Sequence, residues 1–357
     1  MKRSLQLLGV ITVFVTIFFL FHYYVFSTFA DLFGFSKNRG FYGLILACVV
    51  AYPLAAFFER KKSTLFTRSF YFLSCLWMGA LFIGVWLVLL FQIVSVFIGF
   101  SPFLSGSILM VLDIGLVLFG FINARHVRLR EVVLSSRKLR KSLRIVQLSD
   151  IHLGTINLAP FLEKLVVRTN RLNPDIVVIT GDLVDGSAPV SSTMLQSLND
   201  IRAPVFYVIG NHEIYDGLEG VLRILRKTKV RVLRNEIVKH AGIQIAGVDF
   251  YEGTQEVISH IKRLKFSKYF FTLLLNHAPT GFPEAVRQGV DLELSGHTHG
   301  GQLFPFTLFV RLIYRYVRGL HSLQGSHIFI SQGVGTWGPP LRLGTSSEMT
   351  LVTLNPC

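Results

Sequence analysis

The sequence predicts an α/β protein in two unlike parts, with four membrane-spanning helices ahead of a globular α/β domain. Three observations predict it. The N-terminal stretch is apolar and almost free of charge. Near Leu143 the pattern switches to short β-branched runs alternating with helical stretches. Asp, Asn and His then recur where those runs end. Hydrophobic residues make up 51% of the 357, Phe occurs 32 times, and only 16% are charged. Residues 1–124 hold eight of the 36 basic residues and three of the 21 acids, so ordinary globular composition begins only behind them.

Crossing about 30 Å of hydrocarbon takes about 20 apolar residues in a helix. Leu5–Ala30 has no charged residue and, with further spans behind it, is too long for a cleaved signal peptide. Gly40–Phe58 is a second span, with Pro53 tolerated inside. No charge occurs between Arg68 and Asp113, a run too long for one helix; Ser101-Pro102 breaks it into spans at Ser69–Phe100 and Phe103–Asn123. Asp113 is an ionisable residue at membrane depth, and reads either as a polar site between helices or as the partner of a nearby Ser.

Basic residues set the orientation. Lys2 and Arg3, the loop with Arg60, Lys61, Lys62 and Arg68, and the run from Arg125 to Arg144 place both ends in the cytoplasm. The expected location is an inner, cytoplasmic membrane with the globular domain on its cytoplasmic side. The division is 1–124 for the spans, 125–142 for a basic juxtamembrane linker and 143–357 for the globular domain. The linker suits anionic headgroups, at about 1 kcal/mol per basic residue, or is simply solvated. The net charge of +15 fits nucleic acid, a membrane surface or a phosphorylated substrate, and the spans favour the last two. Cys48, Cys75 and Cys357 show neither disulfide nor metal spacing.

In the globular part, Leu143–Ser149, Asp175–Thr180, Val205–Ile209, Gln244–Val248, Phe271–Leu275, Leu292–Ser295 and His327–Ser331 read as strands. Leu158–Leu172, Leu218–Lys227, Gln255–Leu264 and Pro283–Gln288 read as helices. Ligand-type residues fall at strand ends, where α/β sheets place their sites: Asp150-Ile-His152, Gly-Asp182-Leu-Val-Asp185, Gly-Asn211-His212-Glu213, Asn276-His277 and Gly-His297-Thr-His299. Packing alone does not put five of 11 histidines there. Carboxylate, amide oxygen and imidazole without thiolate suit hard and borderline divalent ions. A carboxylate bridging two such ions could activate water against a phosphoryl group.

These five blocks, in this order, resemble the calcineurin-like metallophosphoesterases over about Leu143–Leu354. The tail from Ser331 to Glu348 is similar to the membrane-associated bacterial branch. The resemblance implies a two-sheet α/β sandwich holding two divalent ions, with Mn favoured over Fe or Zn. It implies Asp150, His152 and His299 on one ion, Asn211, His277 and His297 on the other, and Asp182 bridging. His212 would be the catalytic imidazole, with Asp185 orienting it. Protein phosphatases of the superfamily carry Arg where this chain has Gly186, which weakens a phosphoprotein substrate.

Behind the last block, Phe304–Leu320 mixes Phe309 and Ile313 with Arg311, Arg315 and Arg318. As a helix or hairpin it suits an acyl chain beside a phosphate, or a core insertion. The expected function is therefore hydrolysis of a phosphodiester or pyrophosphate bond in a lipid-linked substrate, such as UDP-2,3-diacylglucosamine in lipid A synthesis. The alternatives are a regulatory phosphoesterase domain on a membrane protein and a nuclease; anchoring in the membrane disfavours nucleic acid.

Overall fold

The computed structural model describes residues 2–357, with side chains described from Thr12 onward except Phe14. Lys2 and Arg3, which carry part of the expected orientation, lie outside the described side chains. The chain divides into two compact units, Met1–Ile122 with Gly338–Leu341, and Asn123–Trp337 with Arg342–Cys357.

Four helices dominate the first unit: α1 (Lys2–Phe33), α2 (Arg39–Lys61), α3 (Leu65–Ser95) and α4 (Pro102–Arg125). Each is long and apolar enough to cross a membrane. Their ends follow local chemistry. The Asn38 side chain accepts the N–H groups of Gly40 and Phe41 at the start of α2, and Thr64 and Thr67 form a reciprocal cap on α3. That cap starts α3 four residues before the expected Ser69. Pro53 sits inside a continuous α2, and Pro102 opens α4. Asp113 borders an apolar cavity of about 630 Å³ with Phe29, Phe33 and Trp77, and its Oδ1 has no hydrogen-bond partner among the described residues. The expected Ser contact is therefore not made by that oxygen.

The second unit continues with β1 (Arg128–Ser136), β2 (Leu143–Leu148), α5 (Ala159–Arg171), β3 (Ile176–Thr180), β4 (Val205–Val208), α6 (Asn211–Asp216), α7 (Leu218–Leu225) and β5 (Arg231–Val232). Then come β6 (Glu236–His240), β7 (Ile243–Val248), α8 (Thr254–Arg263), β8 (Thr272–Asn276), α9 (Phe282–Arg287) and β9 (Leu292–Ser295). The last elements are α10 (Phe306–Ile313), β10 (Gly319–Leu323), β11 (Ser326–Ile330) and β12 (Glu348–Pro356). They build two six-stranded sheets, ordered β1-β12-β2-β3-β4-β5 and β10-β11-β9-β8-β7-β6.

Successive residues of a strand face opposite ways, and here both faces are apolar. Ile145, Val178, Leu273 and Leu294 meet between the sheets. Their neighbours Val146 and Val177 pack outward with Leu162 and Leu165 of α5 and Leu222 of α7. Leu274 packs outward with Val257 and Ile261 of α8. The result is four layers, helix–sheet–sheet–helix, each buried aliphatic side chain contributing about 1.5–3 kcal/mol. Two-sided burial is why β3 and β4 read as nearly unbroken apolar runs.

The segment 125–142 differs from the expected linker. Residues 128–136 form β1, paired parallel with β12 from Arg128↔Glu348 to Ser136↔Pro356. Val132 is buried between the sheets, while Arg128, Arg130 and Glu131 stay exposed along an edge strand. Charge on an edge strand discourages pairing with another chain, and it is this charge that made the segment look like a linker.

Candidate metal centre

All five sequence blocks come together at the carboxyl ends of the strands where the two sheets meet. Asp150 and His152 follow β2, Asp182 follows β3, Asn211 opens α6 behind β4, His277 follows β8, and His297 and His299 follow β9. Five of these residues hold left-handed backbone: Asp150, His152, Asp182, His297 and His299 have φ of 48–70°. Such conformations cost about 1–3 kcal/mol each and persist where surrounding structure enforces them. The motif glycines allow the close approach. A Cβ on Gly210 would lie 2.2 Å from Asp182 Oδ1, and one on Gly296 would lie 2.2 Å from Asp150 Oδ2.

Two groups of donor atoms result. In one, His152 Nε2 lies 3.0 Å from His299 Nε2, and His299 Nε2 lies 3.4 Å from Asp150 Oδ1. In the other, Asn211 Oδ1 lies 3.1 Å from His277 Nε2 and 2.9 Å from His297 Nδ1, and the two nitrogens are 3.2 Å apart. Asp182 Oδ2 faces both, 3.7 Å from His152 Nε2 and 3.2 Å from His277 Nε2. Donors bound at about 2.1 Å to one ion stand roughly 3.0–3.4 Å apart. The spacings and the all-N/O donor set therefore fit two divalent ions sharing Asp182.

The electrostatics suit the same role. Burial alone would raise the Asp182 carboxyl, but the charge on His277 outweighs it and holds Asp182 well below the usual range. Burial would lower His277, but Asp182 raises it to about 9. Burial pushes His152 and His297 down to about 3, so both are neutral donors, and it lowers His299 as well. Burial raises Asp150 to about 6. His277 Nδ1–H donates to the Thr180 carbonyl at 2.7 Å, which turns Nε2 inward.

His212, half-buried, packs edge-on to His152 with ring centroids 4.6 Å apart. Its Nδ1 lies 3.0 Å from the backbone carbonyl of Asp185. Asp185 thus meets the imidazole through its backbone carbonyl and not its carboxylate. Asp185 Oδ1 accepts instead from the Ser187 N–H at 2.7 Å and the Ser187 hydroxyl at 2.6 Å, a local turn favoured by a Ser two residues on.

Other residues support the site that the sequence reading left without a role. Glu213 is fully buried and accepts the N–H groups of Gly210, Asp182, Leu183 and Val184, tying two ligand loops together. Asn157 donates to the carbonyls of Ile151 and His152. Arg342 is fully buried and donates to the carbonyls of His299, Gly333 and Gly335. Glu213 was visible as a motif residue and Arg342 falls in the tail from Ser331 to Glu348, and only their burial reveals what they do.

A cavity of about 300 Å³ opens over Asn211, His212 and His297, walled by Tyr215, Ile313 and Trp337. Of the five substrate contacts expected in 304–320, Ile313 alone belongs to its described lining. Phe309 lies on the exposed side of α10. Arg318 donates to the Gly344 carbonyl at 2.9 Å, Arg315 lies over the Tyr316 ring, and Arg311 is exposed. Arg311 is turned off the α10 face that carries Val310 and Ile313, and Arg315 and Arg318 lie beyond the end of that helix.

A four-layer sandwich with carboxylate, amide and imidazole donors gathered at its strand ends defines a metal-dependent hydrolase. Residues 143–301 match the calcineurin-like phosphoesterase family. An uncharacterized metallophosphoesterase of Campylobacter jejuni is 36% identical over 255 residues, covering 69% of this chain and 68% of the relative. One of Aquifex aeolicus is 37% identical over 251 residues, 66% of this chain and 95% of the relative. A zebrafish transmembrane protein with metallophosphoesterase domain is 30% identical over 268 residues, 69% of this chain and 61% of the relative. The chain belongs to the calcineurin-like metallophosphoesterase family and is a membrane protein with a metal-dependent phosphoester hydrolase domain.

Proposed function

We propose that the enzyme hydrolyses a phosphodiester or pyrophosphate bond of a lipid-linked substrate at the cytoplasmic face of an inner membrane. In this reading Asp150, His152 and His299 hold one ion, Asn211, His277 and His297 the other, and Asp182 both. The observation that supports a lipid substrate is the make-up of the cavity, whose polar floor is walled on one side by Phe306, Val310, Ile313 and Trp337.

The ions, with Mn the favoured pair, would supply an activated water and neutralise phosphoryl charge. The residues do the rest. Asp182 Oδ1 accepts the His212 N–H, which would leave Oδ2 to hold the ions. His212 donates Nδ1–H to the Asp185 carbonyl, which leaves Nε2 to hold and deliver a proton to the departing oxygen. The apolar wall orients the acyl portion.

The full-length enzyme in detergent is assayed on UDP-2,3-diacylglucosamine, a representative substrate, and on bis-p-nitrophenyl phosphate. Metal-dependent hydrolysis of both, with the lower KM for the acylated compound, is expected. Cleavage of the small diester with no preference for acylated substrates would overturn the lipid assignment.

A further inference from the structure

We propose that Tyr314 is a positioning residue for His297, holding its ring so that Nδ1 faces Asn211 and His277. The proposal rests on the two-ion reading above. Tyr314 Oη lies 2.8 Å from His297 Nε2, and the two rings meet edge-on with centroids 5.6 Å apart. On the far side of the imidazole, Nδ1 lies 2.9 Å from Asn211 Oδ1 and 3.2 Å from His277 Nε2.

A neutral imidazole has one N–H and one lone pair. For Nδ1 to offer its lone pair to an ion, the proton must sit on Nε2 and needs an acceptor there, because a buried N–H without a partner is costly. The tyrosine oxygen is that acceptor. When the proton sits on Nδ1 instead, Nδ1–H donates to Asn211 Oδ1, and the phenol turns its own hydrogen toward Nε2. A hydroxyl serves both states, so the ring stays in place while the proton changes nitrogen. A phenyl group serves neither.

His277 shows the contrast. Its outer nitrogen is fixed by the backbone carbonyl of Thr180 at 2.7 Å. His297 takes its partner from a side chain, on the residue that closes α10. The Tyr314 N–H donates to the Val310 carbonyl, and Val310 is buried. The orientation of His297 therefore depends on α10 being seated.

The full-length protein in detergent is stripped with chelator and titrated calorimetrically with Mn²⁺, then with Co²⁺ to record the visible spectrum. Wild type should take two ions. Tyr314→Phe keeps the ring and should bind the first ion as wild type and the second roughly 10–100-fold more weakly, the usual effect of losing a ligand's outer hydrogen bond. The Co²⁺ band of the second site should shift, and the Tm of the metal-free protein should stay unchanged. Equal affinity for both ions with an unaltered spectrum overturns the proposal. So does a fall in metal-free Tm with both ions weakened alike, which would assign Tyr314 to packing. A wild type that takes no ions would instead sink the two-ion reading.

Discussion

Asp182 Oδ1 accepts the backbone N–H of His212 at 3.0 Å. The carboxylate facing both donor groups therefore also fixes the first turn of the helix that carries the imidazole. The two roles separate by mutation. Asp182→Ala should lose hydrolysis and full metal content together, because its Oδ2 faces His277 and His152 at once. His212→Ala keeps the backbone N–H, so it should retain the metals and lose about 10²–10⁴-fold in turnover. Elemental analysis beside initial rates decides; wild-type metal content and activity in Asp182→Ala would end the bridging assignment.

Asp185 offers a sharper test of how His212 is held. The contact is to the backbone carbonyl, which substitution leaves in place. An amide oxygen at 185 can still accept from Ser187. Asp185→Asn should therefore change turnover little and leave its pH profile in place. A loss comparable to that of His212→Ala would return the orienting role to the carboxylate.

Metal affinity should rise with pH. An ion must displace the proton that Asp182 holds on His277, whose pKa is raised to about 9. His152 and His297, lowered to about 3, compete with nothing near neutrality. Asp150, raised to about 6, adds a second proton to displace only in more acid solution. Loading between pH 6.5 and 8.5 should release about one proton through His277. Calorimetry in buffers of different ionisation enthalpy measures this, and no proton release would contradict the pairing.

The legible parts of this protein were those where one physical requirement acts alone. Strands buried on both faces, such as β3 and β4, are apolar almost throughout, and their ends were read to within a residue. Ligand residues announce themselves because Asp, Asn and His at successive strand ends have no packing use. Strand β1 was hidden because an edge strand has one buried position, Val132, among charges. The carbonyl contact of Asp185 was illegible because any residue has a carbonyl. Tyr314 lies in no motif, and only the path of the chain around α10 brings it to His297.

The orientation rests on the basic loops. Reporters fused after Arg68 or at Cys357 should read cytoplasmic, and one near Ser36, between α1 and α2, should read external. An external Cys357 fusion would put the hydrolase domain on the opposite side from the proposed substrate pool.

Helix α10 separates the cavity wall from the outer surface within one turn. Ile313, 69% exposed, borders the cavity, whereas Leu312, 83% exposed, is not among its lining, so the two neighbours probe different contacts. An acyl chain entering beside the phosphate would bury methylenes against Ile313 at about 0.8 kcal/mol each, so a few lost contacts change KM severalfold. Ile313→Ser should raise KM for an acylated substrate and leave bis-p-nitrophenyl phosphate hydrolysis nearly unchanged. Leu312→Ser should do neither in detergent micelles carrying dissolved substrate, but should lower the rate on substrate embedded in vesicles if the exposed face meets the bilayer. Equal losses on both substrates with Ile313→Ser would mean that this residue shapes the site rather than meeting an acyl chain, and the apolar wall would no longer argue for a lipid.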